Sequence, residues 1–407
     1  MTKKSDAPAI RFKGFSDAWE QRKLGDIADI VGGGTPSTGN QSYWDGDIDW
    51  YAPAEIADQI YANSSQKKIT GLGYENSSAK MLPPGTVLFT SRAGIGKTAI
   101  LTRKGCTNQG FQSIVPHRGE LDSYFIFSRT EELKRYGELV GAGSTFVEVS
   151  GKQMAVMELM MPPTMREQQT IGGFFQQLDH LITLHQRKFE KLTNVKKSML
   201  EKMFPQNGSS YPEIRFKGFT DPWEQREVGD LLIERSQQAP MSDEYPLMAF
   251  IANEGVAPKG ERYDRSALVT DTVNKLYKKT EKGDFIYSSN NLETGSIGLN
   301  KYGKACISPV YSIFEPTGIA DSDFLGRRLV RKDFINAMVK WRQGVIYGQW
   351  RIHESDFLKI EISVPSVEEQ RKIGAYLDQL DNLITLHQRE LEKLQNIKKS
   401  MLEKMFV

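Results

Sequence analysis

Apolar residues recur at spacings of three and four along two long stretches of the chain. Residues 369–406 match residues 167–204 without a gap, and 27 of the 38 positions are identical. Because one turn of an α-helix holds 3.6 residues, this spacing puts the apolar side chains on one face and predicts a long helix in each stretch. In the first stretch the apolar residues are Ile171, Phe174, Leu178, Leu181, Ile182, Phe189, Leu192, Val195, Met199 and Met203.

Both helices are predicted to begin at a capping box that follows a proline. The boxes are formed by Thr164 with Glu167 and by Ser366 with Glu369. In such a box the hydroxyl accepts from a free backbone N–H, and the glutamate reaches back to the first residue. Lysines crowd the last turns of both stretches, where the helix dipole favours cations.

A long helix with a narrow apolar stripe needs a partner, and the best partner in the chain is the second copy of the helix. We therefore expect an antiparallel coiled coil with pseudo-two-fold symmetry. His185 and His387 would then lie side by side near the axis, as polar residues that fix the register rather than as a metal or proton site. The predicted seam residues are Leu178, Leu181, His185, Leu192, Leu380, Leu383, His387 and Leu394.

A shorter block also occurs twice, as IRFKGFSDAWEQRKLGD at 10–26 and IRFKGFTDPWEQREVGD at 214–230. Between the short and long blocks lie two variable regions with short β-rich runs, such as GTVLFT and DFIYSS, broken by Gly, Pro and Asn. The two regions share a plan in which Gly85 matches Gly283, Ile95-Gly96 matches Ile297-Gly298 and Cys106 matches Cys306.

The predicted fold class is α+β, with two similar mixed α/β globules alternating with two long helices. The predicted segments are a first globule at 1–163, a first long helix at 164–204, a linker at 205–213, a second globule at 214–365 and a second long helix at 366–407.

Composition indicates a soluble cytoplasmic protein. Hydrophobic residues make up 39% of the chain, which is enough for real cores, and the chain has only two cysteines. No apolar run has membrane-spanning length, and the N-terminus lacks the apolar stretch of a signal peptide. The net charge is only +2, so binding to a polyanion would have to come from local basic patches.

The sequence predicts no catalytic residue, no metal site and no cofactor site. The stretch SRAGIGKTAI at 91–100 contains GKT, but Ser91 stands where a phosphate-binding P-loop needs its first glycine. We interpret it as a strand, a turn and a second strand. The five histidines and two cysteines show no metal-ligand spacing. These absences favour a recognition protein.

Clusters of basic, aromatic and amide side chains predict a DNA-binding surface on each globule. Such loops supply the donors and acceptors that read base edges in the major groove, although each cluster could instead be an ordinary solvated face. Asn290 and Asn291, in a four-residue expansion relative to the SRAGIG turn, suit the bidentate contact that adenine offers. The candidates are Lys67, Lys68, Ser91, Arg92, Lys97, Ser144 and Thr145 in the first globule, and Lys278, Lys279, Asn290, Asn291, Arg342, Tyr347, Gln349 and Arg351 in the second.

The chain resembles the DNA-specificity subunit of type I restriction-modification systems. The resemblance rests on the two-cycle layout, on GGGTPSTGNQSYWDGDIDWYAPAEI at 32–56, on SRAGIGKTAI and on the duplicated LITLHQR and KKSMLEKMF. It implies that each globule is a target recognition domain for one half of a bipartite site in double-stranded DNA. The helices would space the globules and dock two methyltransferase subunits, and two restriction or translocase subunits would join the complex.

The same resemblance implies a chain without catalytic activity or cofactor. S-adenosylmethionine, ATP and Mg²⁺ would belong to the partner subunits. One alternative is a non-enzymatic coiled-coil scaffold whose globules bind protein partners. A second is a self-sufficient nuclease or ATPase, which the missing motifs disfavour.

Overall fold

The computed structural model describes residues 7–57, 59–92, 94–142, 148–206, 208–258, 275–346 and 349–406, with the backbone alone at 344–346 and 349–350. The chain forms two compact units. The first comprises Met1–Gln186 and Arg389–Val407, and the second comprises Arg187–Gln388. Each long helix therefore contributes one part to each unit. The sequence instead predicts segments in which each long helix is separate from the globules. That division stays a prediction.

In the first unit, strands of two to eight residues build three small sheets. The orders are β2-β9-β6-β7-β4, β5-β3-β8 and β1-β10. Short 3₁₀ turns lie at Gln41–Tyr43 and Pro53–Glu55. The strands are β1 (Glu20–Lys23), β2 (Ala28–Gly32), β3 (Trp44–Tyr51), β4 (Tyr61–Ala62), β5 (Lys67–Ile69), β6 (Val87–Phe89), β7 (Thr98–Leu101), β8 (Cys106–Thr107), β9 (Gln112–Pro116) and β10 (Glu158–Met161). The helices are α1 (Leu24–Ile27), α2 (Gly71–Glu75), α3 (Ser123–Ser128), α4 (Thr130–Gly141) and α5 (Gly151–Ala155), followed by the long α6 (Met165–Lys202).

The second unit repeats this plan. Its sheets have the orders β12-β20-β17-β18, β13-β16-β19, β11-β23, β14-β15 and β21-β22. The strands are β11 (Glu224–Glu227), β12 (Leu232–Glu234), β13 (Gln238–Ala239), β14 (Ala249–Ile251), β15 (Gly255–Ala257), β16 (Tyr277–Thr280), β17 (Phe285–Tyr287), β18 (Ile297–Leu299), β19 (Ala305–Ile307), β20 (Ser312–Pro316), β21 (Gln343–Ile346), β22 (Gln349–Arg351) and β23 (Glu361–Val364). The helices are α7 (Val228–Leu231), α8 (Ser322–Arg328), α9 (Lys332–Val339) and α10 (Glu354–Leu358), followed by the long α11 (Val367–Met405).

The shared plan of the two globules extends to individual turns. Gly85 before β6 and Gly283 before β17 have φ values of +87° and +95°, a region that glycine occupies without strain. The predicted match of Ile95-Gly96 with Ile297-Gly298 is wrong. Ile297 pairs with Tyr287 inside the β17–β18 hairpin, whereas the equivalent partner of Phe89 in the β6–β7 hairpin is Thr98.

The predicted antiparallel pairing of the long helices is confirmed within each unit. In the first unit Asp179 of α6 pairs with Lys398 of α11, and in the second Lys196 of α6 pairs with Asp381 of α11. In the first unit Phe175 of α6 also stacks on Phe406, just after α11. The partner numbers therefore fall from 406 to 398 as those on α6 rise from 175 to 179, as antiparallel helices require.

The apolar seam is tightest towards the globules. Leu178 and Leu380 are buried, while Leu192 and Leu394 are half-buried against the core of their own unit. Leu181 and Leu383 are 40% and 43% exposed, so their predicted seam position is wrong. The next residue in each copy, an isoleucine, turns further inward. The predicted juxtaposition of His185 with His387 stays a prediction.

The predicted capping boxes form only in part. The N–H groups of Glu167 and Glu369 donate to the hydroxyls of Thr164 and Ser366, over 3.3 and 3.5 Å. The two carboxylates do not cap the helices, because each is held by an arginine of the short repeated block, Arg11 or Arg215. A charged partner binds a carboxylate more strongly than a backbone N–H does.

The short block packs against the end of a long helix in both units. The N–H of Ile10 donates to the carbonyl of Lys404, and the N–H of Ile214 donates to that of Lys202, each over 3.0 Å. These bonds satisfy carbonyls that a helix end otherwise leaves unpaired. Among the described residues, no helix has the length and apolar character needed to cross a membrane.

Candidate nucleic-acid interface

Two equivalent loops carry five of the predicted recognition residues, which are Ser91, Arg92 and Lys97 in the first unit and Asn290 and Asn291 in the second. Residues 90–97 join β6 to β7, and residues 288–296 join β17 to β18. The second loop is therefore one residue longer than the first, and the predicted four-residue expansion is wrong. The first strand predicted within SRAGIGKTAI is wrong, because β6 ends at Phe89, before the stretch begins. The predicted turn and second strand are confirmed by the loop and by β7.

Each loop is fastened to the segment just before a short helix. The N–H of Val149 donates to the carbonyl of Ser91 over 3.0 Å, and the N–H of Ile352 donates to the hydroxyl of Ser289 over 3.1 Å. Val149 and Ile352 are both buried. Anchored backbone on both sides gives the exposed side chains of each loop a defined position, which a reader of base edges needs.

In the first unit the loop offers two cations and no accessible serine. Arg92 is half-buried, and its backbone bridges to Glu148, while Lys97 is exposed. Ser91 is 0% exposed, so the predicted DNA contact by its side chain is wrong. Its chain segment is enclosed by hydrogen bonds to Gly110 and Val149. Ser144 and Thr145 lie outside the described residues.

The other basic cluster of the first unit is built around a buried carboxylate. Asp49 is 3% exposed, and its oxygens lie 3.2 Å from Lys68 Nζ and 2.6 Å from Arg103 Nε. It also accepts hydrogen bonds from the N–H and hydroxyl of Ser65. Lys67 lies over the ring of Trp44, 5.9 Å from its centroid. Nothing in the sequence indicates that Asp49 partly neutralises Lys68.

Burial alone would raise the pKa of Asp49, but Ser65, Lys68 and Arg103 outweigh it and lower the pKa below its ordinary value. Asp49→Asn is therefore expected to reduce the free energy of unfolding by about 1–3 kcal/mol at pH 7, since a charged hydrogen-bond acceptor is lost. A carboxylate with a lowered folded-state pKa stabilises above its unfolded pKa, near 4, and loses that effect as pH falls through the folded value.

Urea denaturation of the wild type and of Asp49→Asn at pH 7, 5, 4 and 3.5 measures this dependence. The difference between the two proteins should be constant from pH 7 to 5 and shrink below about pH 4. A difference that grows on acidification would contradict the assignment.

In the second unit the loop 288–296 lies beside the β21–β22 hairpin. Arg342 donates to both carboxylate oxygens of Glu293, over 2.9 and 2.8 Å. This pairing lowers the pKa of Glu293. Arg342 is only 12% exposed, so its guanidinium holds the loop rather than projecting from it. Asn290 is half-buried and Asn291 is exposed on the same loop.

Further cations of the second unit surround Glu354. Arg351 is 65% exposed, and its Nη2 lies 4.0 Å from Glu354 Oε2. Burial raises the pKa of Glu354, but hydrogen bonds from its own backbone and from Ser312, together with the charges of Lys278 and Arg351, produce a net lowering. Lys279 lies 4.3 Å from the ring centroid of Tyr245. Tyr347 and the side chain of Gln349 lie outside the described residues.

The structure thus brings Asn290, Asn291, Arg342 and Arg351 to one side of the second globule, through the Glu293 and Ser289 contacts. Sequence reasoning missed the acids that pair with the candidate cations. Glu293 pairs with Arg342, Glu354 lies near Arg351, and in the first unit Asp49 pairs with Lys68. An acid three residues after a predicted arginine is the signal that could have found Glu354. Glu293 lies 49 residues from Arg342, so no local signal could have found it.

Arg92→Ala and Arg351→Ala are each expected to weaken binding of the full chain to its cognate duplex by about 1–3 kcal/mol, the range for a lost side-chain contact to a base. Fluorescence anisotropy with labelled duplex at fixed salt measures the effect. Arg22→Ala and Arg226→Ala are matched controls, because both arginines occupy equivalent places in the short repeated block and pair with exposed glutamates. Unchanged affinity in both loop variants would remove these loops from the DNA-binding surface.

Two globules of one plan, each with an anchored loop and mounted on paired long helices, define a class of two-domain recognition proteins. The sequence model of the type I restriction modification DNA specificity domain matches residues 16–194 and, a second time, residues 220–396. The chain belongs to this family.

Individual relatives agree with this assignment. The MjaIX specificity subunit of a type I restriction enzyme from Methanocaldococcus jannaschii is 32% identical over 237 residues, which are 56% of this chain. The match spans 55% of that relative. The putative MjaX specificity subunit from the same organism is 24% identical, with 94% of this chain and 92% of the relative covered.

Among solved structures, the S subunit of a type I restriction-modification system from M. genitalium has a TM-score of 0.59 to this chain. Its identity is 14%, and the superposition covers 98% of this chain and 99% of that one. A likeness at this level of identity shows that the fold is shared.

Proposed function

We propose that this chain is the DNA-reading subunit of a type I restriction-modification complex and that each globule reads one half of a bipartite site. The observation that carries the proposal is the contrast between the repeats. The long helices keep 27 of 38 positions identical, whereas the loops 90–97 and 288–296 share a position in the fold but not their side chains. Two globules that share one plan but carry different loops suit two different short sequences.

The chemistry of the loops fits base recognition. The second loop presents Asn290 and Asn291, and an asparagine amide can bind the N6 and N7 edge of adenine in a bidentate manner. The first loop presents Arg92 and Lys97, which suit guanine or phosphate. The paired helices would separate the two globules by a fixed distance, so that the half-sites are read across a fixed gap.

The helices offer two copies of one surface to partner subunits. A shallow recess of about 540 Å³ is lined by Arg187, Lys191 and Asn194 in the second unit, and a recess of the same size is lined by Arg389, Lys393 and Asn396 in the first. These residues are equivalent in the two repeats. Two identical methyltransferase subunits would dock on such matched surfaces.

The chemistry of the complex would belong to those partners. The methyltransferase subunits would bind S-adenosylmethionine and methylate an adenine flipped out of the duplex. Two restriction or translocase subunits would use ATP and Mg²⁺, and the assembly would act in the cytoplasm. In this chain the described residues contain no group of three or more His, Cys, Asp or Glu side chains arranged to hold a metal ion.

Mapping of methylated adenines tests the proposal. DNA from the source cell should carry methylated adenines in a split sequence with a constant gap, and deletion of this chain should abolish them. Replacing the loop region of the first globule with that of a relative should change one half-site and leave the other. If the purified chain with its methyltransferase subunits methylates no split sequence, the protein-binding scaffold becomes the better explanation.

A further inference from the structure

A matched pair of aspartates links the long helices in the two units. Asp179 and Asp381 occupy the same position of the long repeat, as do Lys196 and Lys398. In the first unit Lys398 Nζ lies 2.6 Å from Asp179 Oδ1, and in the second unit Lys196 pairs with Asp381. Each aspartate is thus bound to a lysine of the other helix.

Each aspartate also binds the globule of its own unit, through a different residue type. Tyr124 of α3 donates its hydroxyl to Asp179 Oδ2 over 2.8 Å. Arg327 of α8 donates to Asp381 Oδ2 over 2.9 Å. The helices α3 and α8 are equivalent. The first follows β9, the neighbour of edge strand β2, and the second follows β20, the neighbour of edge strand β12. Each helix has an aspartate as its N-cap. One carboxylate therefore joins three elements: the two long helices and the globule.

The phenol of Tyr124 is the donor at the junction of the first unit. Burial and the facing carboxylate of Asp179 raise the pKa of Tyr124, so the phenol keeps the proton that it donates. Asp179, Tyr124 and Arg327 are all buried. In the second unit Arg327 also lies 3.5 Å from Asp378, which pairs with Lys301 as well.

A second attachment lies nearer the start of each long helix. Gln168 accepts from the N–H of Asp122 at the start of α3, and Gln370 accepts from the N–H of Asp321 at the start of α8, each over 3.0 Å. The backbones approach closely here. A Cβ on Gly172 would lie 2.7 Å from Asp122 Oδ1, which is too close for any side chain.

The equivalent Cβ on Gly374 would lie 2.6 Å from Asp321 Oδ1. The glutamine and aspartate contacts of each repeat are eleven residues apart, which is roughly 16 Å along a helix at 1.5 Å per residue. Two contacts at this separation resist tilting of the globule on the helix, in addition to the apolar packing of Phe175 and Leu178 in the core of the first unit.

We propose that Asp179 and Asp381 are positioning residues that set the gap between the two half-sites by locking each globule onto the helix pair. The inference rests on the proposed function, because it assigns a role in half-site spacing. A change of one base pair moves a half-site by about 3.4 Å and turns it by about 35° around the duplex. A globule that can tilt at its base tolerates such a change, and a locked globule rejects it.

The test compares gap preference in the wild type, Tyr124→Phe and Asp381→Asn. Tyr124→Phe removes only the hydroxyl that reaches Asp179, and Asp381→Asn keeps the shape of the side chain but removes its charge. The full chain with its methyltransferase subunits is given duplexes whose gap is the mapped length, one base pair shorter or one longer. Binding and methylation rates are measured on each.

We expect the preference for the mapped gap to fall by about tenfold in each variant, the lower end of the range for a lost hydrogen bond to a charged group, with a smaller change on the mapped gap itself. Glu224→Gln is the control. It removes the exposed ion pair with Arg226 and should keep the wild-type gap preference. Thermal unfolding checks that each variant is folded, and Lys196→Met replaces Asp381→Asn if that variant is not.

Variants that keep the full wild-type gap preference would overturn this inference and leave the proposed function standing. A wild-type complex that binds all gaps equally would overturn both. A loss of binding that is uniform over all gaps would show that the aspartates stabilise the fold without setting the spacing, and it too would overturn the inference.

Discussion

Arg11→Met is expected to lower the free energy of unfolding by about 3–5 kcal/mol, because it leaves a buried carboxylate without its charged partner. Glu167 is 1% exposed, and Arg11 donates to its two oxygens over 2.6 and 2.8 Å. The hydrogen bond with Glu167 also raises the pKa of Arg11, despite partial burial. Methionine keeps the length of the side chain and removes the charge.

The second unit offers a matched variant, Arg215→Met, at the equivalent pair with Glu369. In the first unit Trp19 Nε1 also donates to Glu167 over 3.3 Å, whereas Trp223 Nε1 has no hydrogen-bond partner among the described residues. We therefore expect Arg215→Met to be the more destabilising of the two. Urea denaturation followed by tryptophan fluorescence measures both.

Arg22→Met serves as the control for the buried pairs, because its ion pair with Glu120 is exposed and should contribute less than about 1 kcal/mol. If Arg11→Met and Arg215→Met both behaved like this control, the buried pairs would not be what holds the short block on the helix start.

Phe204→Ala is expected to destabilise the second unit by about 3–5 kcal/mol, the range for removing a fully buried aromatic ring. Phe204 stacks on Phe324 with ring centroids 5.5 Å apart and meets the edge of Trp223 at 6.0 Å. The guanidinium of Arg331 lies 5.0 Å from the centroid of Phe204. The ring therefore joins the end of α6 to the core of the second globule.

The measurement for Phe204→Ala is thermal and urea unfolding, together with methylation of each half-site. Since the ring belongs to the second unit, recognition of the second half-site should be lost at a lower temperature than that of the first. Val310→Ala, at an exposed side chain of the same unit, should change stability by less than about 0.5 kcal/mol. Equal loss of both half-sites would contradict this local effect.

The long helices could be predicted from the sequence because their signal is local and occurs twice. Spacing and capping residues are enough to place α6 and α11. The actual partner of Glu167 could not be predicted, because Arg11 lies 156 residues away and nothing local links the two. The exposure of Leu181 and Leu383 was also out of reach, since a spacing of three and four fits several neighbouring positions of a long stripe.

The candidate site shows the same division. The sequence identified the two loops, because their residue types differ from those of the strands beside them. It could not show that Ser91 is enclosed, that Arg342 is taken by Glu293 or that Lys68 shares Asp49 with Arg103. Residue type indicates what a side chain can bind, and only the fold determines what lies next to it.

The hydrogen bond from Ile10 to Lys404 has a consequence for the order in which the protein is completed on the ribosome. The second unit has all its residues once synthesis passes Gln388, whereas the first unit still lacks Arg389–Val407. Domains usually mature in the order of their synthesis. The first unit is therefore the first to begin synthesis and the last to be completed. Until its last residues are made, the apolar surface around Phe175 lacks its packing contacts with Met405 and Phe406.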